Sequence, residues 1–143
     1  MSKSDTFEND LLKLVFNGTA ISNLADNAAS SPLTNLYVSL HTADPGETGT
    51  EATNEISYTG YARVPVARSS SGWTVSGNSV SPVAAVTFGP MTAGAGGTAT
   101  FWAVGVAVSG ATKILYSGAI SPSIVVGVNV TPLLSTGTNI TED

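Results

Sequence analysis

The chain has 143 residues and no cysteine, a length suited to one domain of roughly 100 to 200 residues that buries about 68% of its unfolded surface, with no disulfide framework and no thiolate metal site. Charged residues make up 10% of it, against about 25% in typical soluble domains, and the net charge is −5; Lys3, Lys13, Arg63, Arg68 and Lys113 are scattered and form no stripe to neutralise phosphates, which excludes direct nucleic-acid binding. No apolar run approaches the roughly 18 residues of a membrane span, and Asp5, Glu8, Asp10 and Lys13 interrupt the stretch where a signal peptide would be apolar, so the expectation is a soluble protein made in the cytoplasm, whose neutral, small-residue surface suits life in an assembly.

The first element is the one helix. Phe7, Leu11, Leu14 and Val15 recur at helical spacing, Asp5 with Glu8 resembles a capping pair, and Gly18 follows Asn17 where a left-handed cap would sit, which predicts a helix over about 6–16. Its apolar stripe packs either on its own domain or, as an arm, on a neighbouring subunit. Residues 21–35, with Asp26, Asn27, Ser30, Ser31 and Pro32, read as an irregular connection. The expected organisation is therefore an N-terminal helix and arm over 1–35 and a β-sandwich over 36–143.

Leu36, Val38 and Leu40 alternate with Tyr37, Ser39 and His41 as in a strand with one buried face. Asp44-Pro45-Gly46 ends that strand and opens a long acidic loop, in which only Ala52 and Ile56 are apolar between Glu47 and Ser57. Ordinary hairpins need about 2 to 5 loop residues, so this one reads as a solvated, presented element. Residues 61–66 form a strand that Pro65 confines to an edge or a bulge. Residues 73–76 and 79–81 flank Gly77-Asn78 as a tight hairpin. Residues 83–88 make a short apolar strand, 92–97 a glycine-rich turn, and 98–108 the longest strand, apolar on both faces. Strands over 112–117, 124–130 and 133–140 complete the set, with Pro122 and Pro132 near boundaries. Eight or nine strands at this spacing predict an all-β, antiparallel, jelly-roll-like β-sandwich with one short N-terminal helix.

The chemistry expected is sparse. His41 is the sole histidine, and no nucleophile elbow accompanies it, so it reads as a strand-end residue bonded to a neighbour or facing solvent. Asp44, Glu47, Glu51 and Glu55 would align on a helix, but Pro45, Gly46 and Gly49 oppose one. The loop also lacks the closely spaced oxygen ligands of a calcium site. A pair of glycosidase carboxylates has nothing to place it across a cleft. Trp73, Trp102, Tyr58 and Tyr61 read as core before they read as a sugar-stacking platform. No catalytic residue, cofactor or metal is expected.

Several blocks carry a family resemblance: Leu36 to Thr50, Asn54 to Arg63, Gly72-Trp73, Val86 to Pro90, Phe101 to Val104 and Leu115 to Gly118. Together they resemble small virion proteins of tailed bacteriophages, a family that mixes capsid decoration proteins with members labelled tail fibres; they are similar, too, to the jelly-roll cement protein on the head of a Bordetella-infecting phage. The resemblance covers about 5–135, most specifically in the LHTADPG and GYAR elements. It implies a non-enzymatic structural role on the outer capsid surface, as a dimer or trimer that ties major capsid protein subunits together. A tail-fibre or baseplate module contacting a host receptor is the alternative. A sugar-active enzyme or lectin ranks behind both. Expected partner contacts are Asp44, Glu47, Glu51, Arg63 and Arg68 through charge, with edge pairing by the strand containing Pro65 and by the C-terminal strand near Ile140.

Overall fold

The structure, a computed structural model, describes residues 3–21, 24, 25 and 32–142; most of the connection expected over 21–35 lies outside the described residues. The chain divides into two compact units, each assembled from separated stretches. One comprises Met1–Leu36, Val66–Ala85 and Ser135–Asp143, the other Tyr37–Pro65 and Val86–Leu134. The helix thus shares a unit with a central and a C-terminal stretch. The class is as expected: antiparallel β throughout, with one N-terminal helix. No helix among the described residues is long and apolar enough to cross a membrane.

In the first unit, α1 spans Asp5–Asn17. Its cap is Ser4, one residue ahead of the expected Asp5, because the Ser4 hydroxyl accepts from the Phe7 amide at 3.4 Å and so satisfies one of the free amides of the first turn. Gly18 closes the other end at φ 65°, and the Thr19 amide donates to the Lys13 carbonyl at 3.1 Å. The carbonyls of a helix's last turn are short of backbone donors. Arg68 supplies them: its Nε donates to the Val15 carbonyl at 2.6 Å and its Nη2 to that of Leu14. No basic residue lies in the last helical turn, so this guanidinium also brings the positive charge that the helix C-terminus favours.

The helix buries Leu12 and Phe16 against β3 (Trp73–Ser76) and β4 (Ser79–Pro82). Phe16 meets the Trp73 ring edge-on at 4.8 Å. Asn9 donates to the Gly77 carbonyl at 2.7 Å. The hairpin joining β3 to β4 forms where expected. Gly77 takes φ 59° while Asn78 stays at negative φ, as in a turn that needs glycine at its first central position. β9 (Ile140–Thr141) adds to β4 as the margin of this sheet, in the order β3-β4-β9.

In the second unit, β1 (Asn35–His41, from Tyr37 on), β6 (Gly97–Gly105) and β7 (Ile114–Val126) lie in a sheet of order β2-β1-β6-β7. β2 (Val64–Ala67) leaves the unit after Pro65, and the proline sits in an outermost strand, where no amide is needed. β6 is covered on both faces from Trp102 to Gly105, as its two-sided apolar pattern implies. β5 (Val86–Thr87) pairs with β8 (Leu133–Leu134). Tyr61 stacks on Phe88 at 6.0 Å, and the Tyr58 hydroxyl donates to the Gly89 carbonyl at 2.9 Å.

Three strand expectations need correction. The predicted strands over 112–117 and 124–130 are one continuous β7, with the cis Ser121–Pro122 bond inside it. A bulge accommodates the proline: Ile120, Ser121, Pro122 and Ser123 stand opposite Thr100 alone, and β7 is an outermost strand. The predicted strand over 133–140 is two short ones, β8 and β9, in different sheets. Its middle turns away, where the Thr138 amide donates to the Ser135 carbonyl at 3.0 Å. The strand expected over 83–88 shortens to Val86–Thr87, because the Val83 amide bonds the Gly72 carbonyl at 2.9 Å instead.

Arg68→Ala is expected to lower unfolding free energy by about 2 kcal/mol, the loss of charge-assisted hydrogen bonds to two helix carbonyls. Arg68→Lys should restore only part, since an ammonium cannot span both oxygens in one plane. Urea unfolding followed by tryptophan fluorescence measures both.

Candidate functional site

The loop after β1 folds back on the strand it leaves. Asp44 accepts from the Gly46 amide at 2.9 Å through Oδ1, closing the turn. The Asn54 side chain donates to the Asp44 carbonyl at 3.0 Å, and the Asn54 carbonyl accepts from the Thr42 amide at 2.8 Å. The Ile56 amide then donates to Leu40 at 2.9 Å. A second line of contact holds the loop to the start of β7: Thr50 bridges Lys113, and the Glu51 amide donates to the Thr112 carbonyl at 2.9 Å.

These turns carry two carboxylates inward. Glu51 is 0% exposed and Arg63 4%. The Arg63 guanidinium grips Glu55 with two parallel bonds, Nε to Oε1 at 2.7 Å and Nη2 to Oε2 at 2.8 Å. It donates to the Ala107 carbonyl at 3.1 Å and the Gly110 carbonyl at 2.8 Å, and its Nη1 lies 3.3 Å from Glu51 Oε2. With a further contact to the Thr112 hydroxyl at 3.4 Å, every N–H of the fork is engaged. Glu51 Oε2 in turn accepts from the amides of Val106 and Ala107 at 3.2 and 3.3 Å and from the Thr112 hydroxyl. The Glu55 contacts hold the Arg63 proton more tightly than usual, against the opposing effect of burial. Gly105 makes room for this carboxylate: a Cβ there would stand 1.9 Å from Glu51 Cδ.

Tyr61 and His41 complete the cluster. Tyr61 donates to Glu55 Oε1 at 2.9 Å and accepts from the Leu40 amide at 3.1 Å. Burial pushes its phenol pKa far up, so it remains a donor. His41 is 0% exposed, bonded to neighbours and not facing solvent. Its Nδ1 lies 2.8 Å from the Thr53 carbonyl, which only accepts, so Nδ1 carries the proton and Nε2 accepts from the Ser39 hydroxyl at 2.9 Å. Burial lowers its pKa below the ordinary 6.5, outweighing the Thr53 carbonyl and Glu55, which favour the charged ring.

The arrangement is a structural lock, in which Glu51 Oε1 is buried without a hydrogen-bond partner. Arg63 has no free donor for a ligand, and the Ser39 hydroxyl beside the neutral imidazole is fully buried, with the Thr53 backbone carbonyl where a triad would place a carboxylate. Trp73 and Trp102, 1% and 6% exposed, are core and offer no stacking face. Among the described residues no group of three metal-binding side chains occurs.

The residues expected to touch partners therefore separate. The charges of Glu51 and Arg63 are committed to each other inside the second unit, and the loop read as wholly solvated is anchored by them and by Ile56, 2% exposed. Asp44 and Glu47 are exposed and line an open groove of about 490 Å³, whose other wall is Ile114 to Ser117 at the start of β7. Arg68 and Ile140 belong to the first unit: Arg68 holds the helix end, and Ile140 lies in the marginal strand β9 with its side chain buried. Sequence reasoning noticed Glu55 as part of an acidic series and Tyr61 as an aromatic but did not join them to the cluster, and it missed Thr112 and the β7 wall. The available signal was that a chain so poor in charge keeps Glu51, Glu55 and Arg63 close together.

A model of the family described as podophage GP4 fiber I protein gp80 matches residues 2–139. No curated protein matches the chain.

Arg63→Ala is expected to cost about 3 to 5 kcal/mol, because it strands Glu51 as a buried unpaired charge. Gly105→Ala should also destabilise. Combined with Glu51→Ala, it should cost less than the sum of the single changes, since the clash disappears with the carboxylate. Denaturant unfolding of the four proteins checks this. The histidine has a depressed folded-state pKa, so its contribution is complete above 6.5 and is lost as pH falls through the folded value. The urea midpoint should therefore drop between about pH 7 and about pH 5, a range in which histidine titrates. The drop should flatten in His41→Gln.

Proposed function

The chain belongs to the family of the podophage GP4 fiber I protein gp80, which makes it a structural protein of the bacteriophage particle, and from that premise we propose that it is a non-enzymatic, fibre-type module of the virion. The observation that carries this reading is the family match across nearly the whole chain. The locked loop fits such a role: a buried ion network fixes the loop's base, so that Asp44 and Glu47 are presented with little conformational freedom left to lose on contact.

A second reading is a cement protein on the outer capsid surface, associated as a dimer or trimer and stabilising contacts between major capsid protein subunits. The scarcity of charge and the marginal strands β2, β7 and β9 favour it. Neutral surfaces and open strand edges suit many small contacts that add up in a closed shell.

Fractionation of virions into heads and tails, with quantitative mass spectrometry of each, separates the two. The fibre reading expects a few copies, recovered with tails. Recovery from heads at a copy number comparable with the major capsid protein would replace it by the cement reading. Absence from purified particles would remove both.

A further inference from the structure

We propose that the groove between the Asp44–Gly49 turn and the start of β7 is a docking site for an extended, basic segment of another virion protein, bound as an added strand on β7. The proposal rests on the virion role above and deepens it by naming a surface and its partner's chemistry.

The groove continues a strand position that the chain has already begun. Thr50 and Glu51 lie antiparallel to Lys113 and Thr112, the two residues that lead into β7, with the Glu51 amide donating to the Thr112 carbonyl at 2.9 Å. The chain then leaves this position at Gly49, whose amide turns back to the Gly46 carbonyl at 3.1 Å. A Cβ on Gly49 would stand 2.0 Å from the Pro45 carbonyl oxygen, so the departure is built into the turn. Beyond it Ile114, Leu115 and Ser117 form one wall of about 490 Å³ of open space. Among the described residues, β7 is the margin of its sheet. A sheet edge is normally protected by a lysine, a proline, a bulge or a covering element. β7 carries one register irregularity at Leu115, between the Val104 and Gly105 pairings, and a larger one from Ile120 to Ser123 that includes Pro122, and no charged residue occurs between Ile114 and Val126. Between these two irregularities, from Tyr116 to Ala119, β7 pairs regularly with β6 and carries neither a charge nor a proline, and this regular stretch begins at the groove.

Charge selects the occupant. The opposite wall carries Asp44 and Glu47, both exposed and, among the described residues, in no ion pair. A basic strand would meet carboxylates along one side and strand amides and carbonyls along the other. A second copy of this chain is poorly equipped to supply it. Arg63 and Arg68 are engaged in internal contacts, Lys3 pairs with Glu142 at 3.0 Å, Lys13 lies in α1 and Lys113 adjoins the groove's own strand. The fitting partner is a different protein with lysine or arginine in an extended segment.

The test uses the full chain incorporated into virions. With Leu115→p-benzoylphenylalanine, irradiation followed by mass spectrometry should yield a cross-link to a lysine- or arginine-containing peptide of another virion protein. Cross-links only to copies of this chain, only to a peptide without a basic residue, or none at all would overturn the proposal. The pair Asp44→Asn and Glu47→Gln keeps the turn, since the Asn oxygen still accepts from Gly46. It should lower retention on particles after a salt wash by about tenfold, the scale of two lost peripheral charge contacts. Unchanged retention would also overturn the proposal. Circular dichroism of each variant shows that the chain is folded. Absence of the wild-type chain from particles would refute the virion role and this site together, whereas its presence with unaltered retention refutes the site alone.

Discussion

The Arg63 guanidinium is the point on which the second unit turns. Its fork joins three stretches: the loop through Glu51 and Glu55, the strand start through Arg63 itself, and the turn from Ala107 to Thr112. Each taken alone is unstable where it lies. Glu51 without Arg63 is a charge in an apolar interior, and Arg63 without its carboxylates is a cation with five donors and only carbonyls to meet them. Buried pairs of this kind add little net stability over an apolar replacement. They do specify one arrangement strongly, because every alternative leaves a charge unpaired. For a loop of this length, with almost no apolar residues to anchor it, that specification is what an apolar core would otherwise provide.

The conspicuous sequence blocks can be understood from this cluster. The LHTADPG element contributes His41, whose ring holds the Thr53 carbonyl, and Asp44, which closes the turn. The block from Asn54 to Arg63 contributes Glu55, Tyr61 and Arg63, and Val86 to Pro90 contributes Phe88, on which Tyr61 stacks. The residues that made the chain resemble phage virion proteins are thus chiefly those that set its loop conformation. They identify a fold with its loop in place, while the exposed Asp44 and Glu47 sit at the tip of that construction.

Much of the fold could be read from the chain because its signals were local. Gly18 after Asn17, Gly77-Asn78 between alternating runs, and Pro65 at the margin of a sheet each act within a few residues, and each appears as expected. What escaped depended on distant partners. Nothing near Pro122 says that a bulge opposite Thr100 will absorb it and let β7 run on. Nothing between Leu133 and Ile140 announces that its two ends join different sheets. The acidic spacing of Glu51 and Glu55 was visible, yet whether such residues face water or an arginine is decided by Gly105, half a chain away, whose missing side chain opens the place that Glu51 fills.

The low charge content takes on a different meaning once the internal contacts are counted against it. Arg63, Arg68, Glu51 and Glu55 act inside the fold, and Lys3 and Glu142 neutralise each other at the surface. Few charges remain to face a partner, and in the loop region they are acidic. In the docking proposed above, backbone edges and neutral side chains would supply most of the contact energy, with Asp44 and Glu47 setting register and partner choice more than affinity. A surface organised in this way tolerates salt well where strands pair and poorly at the few carboxylates. That division follows from placing the strong electrostatics in the interior, where they hold a loop, and leaving the exterior nearly bare of them.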